Sequence, residues 1–430
     1  MERKIDKRLI FWKQTIGRMP LIVSGARQVG KTYTILSFGK VHYRNVAYFN
    51  FESNSELRQI FERDLSPARI IRELSAISGE SLLEGETLIF FDEIQTCERA
   101  LTSLKYFCEE APSFHIIAAG SLLGVTLNRT QFSFPVGKVD RMNLFPLDFE
   151  EFLWALSLKS GGELIREHYE RNEQFSLHET YLDYYKTFLL IGGMPQVVNE
   201  YISQRDFNFV LALQKNINDA YVADMAKYAT PAETAKIMGA FNSIPAQLSK
   251  ENRKFQYKLI KSGARAYDFE TPLDWLQAAG IIHKCTKINE GKFPLSLYAI
   301  SESIKVYLSD SGLLCSKYGI APNFLLSGSL GFDNIKGALA ENYVMASLII
   351  NGYIPYYWES QGQAELDFVI QQTNGDIIPI EVKSSENVRS KSLNQFVLKY
   401  KPHYSIRIST KNFGYENGIK SIPLYATFCI

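Results

Sequence analysis

Sixteen residues, LIVSGARQVGKTYTIL (21–36), constrain this chain more than any other stretch, because they set an apolar strand, a glycine-bounded loop and the start of a helix in direct succession. They fit G-x-x-x-x-G-K-[ST] as Gly25, Gly30, Lys31 and Thr32, and Pro20 stops whatever precedes the strand. A phosphate needs several backbone N–H groups converging on it, which a loop free of bulky side chains at its tight points can supply. The sequence therefore predicts that Gly25, Ala26, Arg27, Gln28, Val29 and Gly30 wrap a phosphate chain, with Lys31, Thr32 and Tyr33 opening a helix whose positive end faces the same point. Lys31 would add a point charge at the terminal phosphates, and Thr32 a hydroxyl for Mg²⁺. Arg27 either reaches a phosphate or faces solvent. ATP and Mg²⁺ are the expected cofactors.

A second motif lies one strand and one helix further on. TLIFFDEIQ places Leu88 to Phe91 directly before Asp92 and Glu93, as a buried parallel strand ending in two carboxylates would. Asp92 is placed to hold Mg²⁺ through water, and Glu93 to polarise an attacking water. The strand is expected to neighbour the first one, at the carboxyl edge where α/β ligands bind. Glu93 beside Asp92 favours activation of water over transfer of phosphate to a metabolite, which sets a small-molecule kinase aside.

The chain has 430 residues, long enough for about three domains, and 46% of them are hydrophobic. Its 47 basic and 46 acidic residues give a net charge of +1, so any nucleic-acid partner must be held by a local cluster. Five scattered cysteines (Cys97, Cys108, Cys285, Cys315, Cys429) show neither disulfide nor zinc spacing, which fits a cytoplasmic protein. No run of about 18 apolar residues and no signal peptide are evident, so no membrane partner is expected.

NVAYFNF (45–51), FHIIAAG (114–120) and KVDRMNL (138–144) read as further strands, and SPARIIRELSAI as a helix with Ser66 before Pro67. Strands alternating with helices predict a parallel sheet with right-handed crossovers. An extra strand between the phosphate loop and the acidic strand, then a polar residue ending the fourth, resembles the AAA+ ATPase core. That resemblance implies that Ser121 is a sensor of the attacking water or γ-phosphate; the alternative is a helix N-cap before LLGVTL. An arginine completing the site is not identified: Arg129 and Arg141 stand at plausible places, and whether copies assemble into a homo-oligomer stays open. SGARQVGKT, FFDEIQ, AAGSLLG, FPLDFEEFL and LIGGMPQVV, in this order, resemble a family of prokaryotic AAA-type ATPases with a C-terminal domain of unknown function and a nuclease-like fold.

From about 146 to 235 apolar residues recur at three and four, predicting a helical lid, with Gly192-Gly193 and Pro195 as a helix stop and the stripe Tyr181, Tyr184, Tyr185, Phe188 as core. Residues 236–330 read as short helices followed by a β-ribbon, like a winged helix. Lys250, Arg253, Lys254, Lys258, Lys261 and Arg265 concentrate there with only Glu251 opposing, and are the candidate DNA contacts; the bland alternative is a solvated helix face.

Residues 331–430 read as helix, three strands, helix, strand, with Asn374-Gly375 as a hairpin turn. Asp367 and Glu381 fall on the two arms of that hairpin, and Lys383 two residues on shares a face with Glu381. Mg²⁺ held by the two carboxylates could activate water on a phosphodiester, with Glu341 on the preceding helix completing the shell and Lys383 stabilising developing charge. This resembles the PD-(D/E)xK nuclease superfamily, with Leu366 where the superfamily often has proline.

The expected fold is α/β: an AAA+ P-loop parallel sheet (1–145), a helical lid (146–235), a winged-helix-like region (236–330) and a restriction-endonuclease-like C-terminal domain (331–430). Two functional readings follow. One is an ATPase governing DNA binding or metal-dependent cleavage; the other is a nucleotide-gated switch or scaffold whose nuclease-like domain is catalytically silent.

Overall fold

The computed structural model describes residues 1–121, 123, 135–319, 333–360, 364–384 and 391–430. They fall into two compact units, one of residues 1–145 with 278–280 and one of residues 146–277 with 281–430.

The first unit opens with α1 (Ile5–Gln14), β1 (Leu21–Ser24), α2 (Lys31–His42), β2 (Asn45–Asn50), α3 (Glu56–Glu62) and α4 (Pro67–Ser78). It continues with β3 (Thr87–Asp92), α5 (Glu98–Glu110), β4 (His115–Gly120) and β5 (Asp140–Asn143). The strands form one sheet in the order β2-β3-β4-β1-β5, with every pair parallel. The acidic strand β3 is thus not the neighbour of β1, as the sequence suggested; β4 lies between them. Strand order depends on which crossover inserts where, and local periodicity carries no trace of it.

All six residues of β3 are buried. Leu88, Ile89, Phe90 and Phe91 have no exposed surface, so each contributes about 1.5–3 kcal/mol of burial. Phe51, Phe61 and Phe91 pack edge to face or tilted against one another in the same core. This rigid floor holds the carboxyl ends of β1, β3 and β4 in fixed register.

The second unit begins with six helices: α6 (Phe149–Ala155), α7 (Lys159–Arg171), α8 (His178–Ile191), α9 (Pro195–Gln204), α10 (Phe207–Tyr228) and α11 (Pro231–Leu248). Asp148 starts α6 with a reciprocal capping box to Glu151. Tyr181, Tyr185 and Phe188 are core side chains, and the chain turns at Gly192-Gly193, where a side chain at Gly193 would strike the backbone of Leu147. Then follow α12 (Ala266–Ala278), β6 (Ile282–Ile288), β7 (Ala299–Leu308), α13 (Ser311–Tyr318) and α14 (Asp333–Ile350). The chain finishes through β8 (Tyr356–Ser360), β9 (Ala364–Gln371), β10 (Ile377–Val382), α15 (Lys391–Tyr400), β11 (Ser405–Ser409), β12 (Gly414–Glu416) and β13 (Ile419–Pro423).

The ribbon read as a wing is not a separate device. β6 pairs with β7 on one side and with β8 on the other, so both strands extend the C-terminal sheet, whose order is β12-β13-β11-β10-β9-β8-β6-β7. Residues 146–430, divided into three domains in the sequence reading, group as one unit apart from 278–280. No described helix is long and apolar enough to cross a membrane, and all five cysteines are free.

Candidate functional site: a phosphate loop and an acidic strand

The loop between β1 and α2 takes its shape from positions that only special backbone tolerates. Gly25 has φ 151° and Gly30 φ 92°, with Gln28 at φ 67° between them. A Cβ on Gly25 would collide with the carbonyl oxygen of Leu144, which lies close because the Leu144 N–H donates to Ser24 O at 2.8 Å. Glycine is required there by close backbone approach as well as by φ. Ala26 and Val29 are buried and anchor the loop, and Tyr33 is exposed.

Lys31 begins α2, is 7% exposed, and donates to the carbonyls of Gly25 and Ala26 at 2.8 Å each. Burial lowers its pKa to about 8, opposed by the nearby carboxylates of Glu93 and Asp92 and reinforced by Arg27. At neutral pH it is a cation held inside the loop. Its charge sits where the terminal phosphates of a nucleotide would be.

Asp92 ends β3 at 3% exposure with both oxygens engaged. Oδ2 accepts from Thr32 Oγ1 at 2.8 Å and from Tyr48 OH at 2.9 Å, and Oδ1 accepts from the Glu93 N–H at 3.0 Å. A hydroxyl and a carboxylate in direct contact are an oxygen donor pair suited to Mg²⁺, so the residues present fit that ion. Glu93 follows in left-handed backbone at φ 51° and accepts from Gln95 Nε2 at 2.5 Å. Ser121 is buried one residue past β4, and Ser24 pairs with Gly120 in the sheet, so Ser121 stands between the phosphate loop and the acidic strand. The segment LLGVTL (122–127) that its alternative role would precede lies, apart from Leu123, outside the described residues, as does Arg129. Arg141 is exposed on β5.

Three contributors were not foreseen. Tyr48 on β2 donates to Asp92, Gln95 holds Glu93, and buried Arg3 donates to Val29 O at 3.1 Å and Phe145 O at 2.7 Å, tying the loop to the chain following β5. Gln95 lies two residues from Glu93, whereas Tyr48 and Arg3 carry no local signal.

The C-terminal candidates meet in the second unit, around a pocket of about 590 Å³ lined by Arg253, Lys254, Glu341, Glu359, Asp367 and Lys383 among others. Ile380 of β10 pairs with Phe368 of β9, so the next positions, Glu381 and Asp367, stand opposite each other. Asp367 Oδ2 accepts the Val382 N–H at 2.8 Å, and Lys383 Nζ lies 3.3 Å from Glu381 Oε1. Glu381 Oε2 is buried without a hydrogen-bond partner.

Glu341 lines the same pocket but is engaged by other groups. It is 2% exposed, its Oε1 is paired with Arg253, and its Oε2 accepts from Tyr307 OH at 3.2 Å. Among the described residues no group of three or more His, Cys, Asp or Glu side chains is placed to hold a metal ion. The three-carboxylate shell expected from Glu341, Asp367 and Glu381 is therefore absent in this arrangement, because a guanidinium already balances Glu341. Gly337, one helical turn before Glu341, makes room for it: a Cβ there would lie 2.7 Å from Arg253 Nη2.

The basic cluster is divided for the same reason. Arg253 and Lys254 are spent on Glu341 and Glu359, and Lys287 shares Glu359 at 2.6 Å. Those two lysines hold the Glu359 carboxyl below the ordinary range against the opposing effect of burial. Lys258, Lys261 and Arg265 are exposed, and Lys250 is half-buried. Two of the six cations are thus paired with acids and three are exposed.

Comparison with known families agrees with the first unit. Residues 17–153 match the model of an AAA domain, residues 182–323 a domain of unknown function (DUF8612), and residues 336–427 another (DUF4143). The chain thus carries an AAA-type P-loop ATPase domain, the class that its parallel sheet, phosphate loop and acidic strand define. Among solved structures it is similar to the Walker-type ATPase PABY2304 of Pyrococcus abyssi, at 15% identity over 74% of this chain and 95% of that one, TM-score 0.44. It is also similar to the Aeropyrum pernix ORC1 protein in complex with DNA (12%, 76% and 91%, 0.28) and to Cdc6p from Pyrobaculum aerophilum (12%, 75% and 92%, 0.26). These distant likenesses carry no further argument. No curated protein matches the chain.

Proposed function

We propose that this chain hydrolyses ATP at the phosphate loop and that its nucleotide state controls a nucleic-acid-binding C-terminal region. The observation that carries the reading is the direct contact of Thr32 with Asp92, beside a buried Lys31 and next to Glu93. In this reading the loop N–H groups and Lys31 hold the phosphates, and Thr32 and Asp92 hold Mg²⁺. Glu93 orients and deprotonates the attacking water, and Ser121 senses the terminal phosphate. Bound Mg²⁺ supplies charge neutralisation at the phosphate oxygens.

Two observations favour binding over cutting in this reading. Glu341 is neutralised by Arg253 and is not available to a metal, while the exposed Lys258, Lys261 and Arg265, with half-buried Lys250, suit a phosphate backbone. Cleavage, the second reading of Glu341, Asp367, Glu381 and Lys383, requires Arg253 to leave that carboxylate. The test is incubation with duplex and single-stranded DNA in Mg²⁺ or Mn²⁺, with and without ATP, beside Glu381→Ala. The expected result is salt-sensitive binding, with a slope of log K against log salt near −3.6 if about four cations meet phosphates, and no cleavage. Cleavage lost in Glu381→Ala would establish the nuclease instead, and neither binding nor cleavage would remove nucleic acid as the partner.

A further inference from the structure

We propose that Gln95 positions Glu93 for water activation, and that Gly120 is kept free of a side chain to admit it. The inference rests on the reading of Glu93 as the group that activates water. Glu93 occupies left-handed backbone, which a residue with a Cβ adopts at some cost, and it leads into a single 3₁₀ turn, Ile94–Thr96. That turn is closed by the Thr96 N–H and Thr96 Oγ1, which donate to Glu93 O at 3.0 and 2.9 Å. The turn brings Gln95 back over the acid. Its Nε2 donates to Glu93 Oε2 at 2.5 Å, so a carboxylate on a flexible side chain is held at one oxygen while the other stays available.

Gln95 is itself fixed. It is 7% exposed, and its amide packs over the end of β4: a Cβ on Gly120 would overlap Gln95 Oε1 and come within 3.0 Å of Cδ. Gly120 immediately precedes Ser121, so one amide joins the acid that follows β3 to the end of the strand that leads into the sensor candidate. Gln95 Oε1 is buried and has no hydrogen-bond partner, an arrangement that costs stability and that a simple packing residue would not need. Gln95 is thus a positioning residue, acting on the reaction through Glu93.

The test uses the full chain carrying Gln95→Ala, Gln95→Met, Gly120→Ala or Gln95→Ala/Gly120→Ala, beside Glu93→Gln, with steady-state ATP hydrolysis, nucleotide affinity and melting temperature measured for each. Loss of positioning should lower kcat about 10- to 100-fold in both Gln95 variants with KM and affinity little changed. Methionine keeps the volume and not the donor, so it separates hydrogen bonding from packing. Gly120→Ala should reproduce the loss, and the double variant should be no worse than Gln95→Ala alone, because removing the amide makes room for the new methyl. Full kcat in folded Gln95→Met, or losses that multiply in the double variant, would overturn the proposal while leaving Glu93 in its role. Full turnover in Glu93→Gln would remove the reading of Glu93 and this inference with it.

Discussion

Glu93→Gln should slow ATP hydrolysis about 10²- to 10⁴-fold while nucleotide affinity stays within a few-fold of the parent, as phosphate release and a fluorescent-nucleotide titration would show. The substitution is nearly isosteric and keeps an oxygen that can accept from Gln95, so the left-handed turn at position 93 is retained. What disappears is the proton acceptor. Binding is spared because the phosphates are held by the loop N–H groups and Lys31, and the metal by Thr32 and Asp92. An equal fall in affinity and rate would place Glu93 in the binding apparatus instead.

Arg253→Ala should destabilise the second unit by about 3–5 kcal/mol, read by urea unfolding, because it leaves Glu341 uncompensated inside the fold. The Glu341 side chain is 3% exposed and that of Arg253 17%, so solvent has little access to the abandoned carboxylate. Tyr307 donates one hydrogen bond to it, which satisfies one oxygen and leaves the charge. The double variant Arg253→Met/Glu341→Leu should recover most of the loss, since a hydrophobic pair of similar volume avoids desolvation of both ions. A loss under about 1 kcal/mol in Arg253→Ala would mean that the pair behaves as a solvated surface contact. The same pair decides how the pocket is read: a site that must surrender a buried ion pair before it can bind a metal differs from one built around the metal.

The parts of the structure legible in the sequence are those written in local pattern. Gly25 to Thr32 specify a strand, a loop and a helix in one run, and Leu88 to Asp92 specify a buried strand by composition alone. Both predicted elements appear in the structure, β1 with α2 and β3. Strand order was not legible, because the insertion of β4 between β1 and β3 is settled by packing of crossover helices far apart in sequence. Tyr48 is not legible because it acts through one tertiary hydrogen bond to Asp92, and Gln95 because its hydrogen bond to Glu93 depends on the 3₁₀ turn that follows β3. Tyr48 stands eight positions before the helical segment α3 with nothing local to mark it. The basic run 250–265 was misleading in the opposite sense. Its opposing acids, Glu341 and Glu359, lie about ninety residues on or more, so the run looked unpaired although two of its members are neutralised in the fold. The ribbon β6–β7 shows the same limit, since antiparallel strands after helices look like a wing until a third strand, β8, pairs with them.

Turnover of ATP at the phosphate loop decides the proposed function most directly. Purified protein with Mg²⁺ and ATP, assayed for phosphate release beside Lys31→Ala, is the deciding measurement. Hydrolysis in the parent and its loss in Lys31→Ala, with both proteins folded, is the predicted result. Equal hydrolysis in the two proteins, or no nucleotide binding by the folded parent, would contradict it.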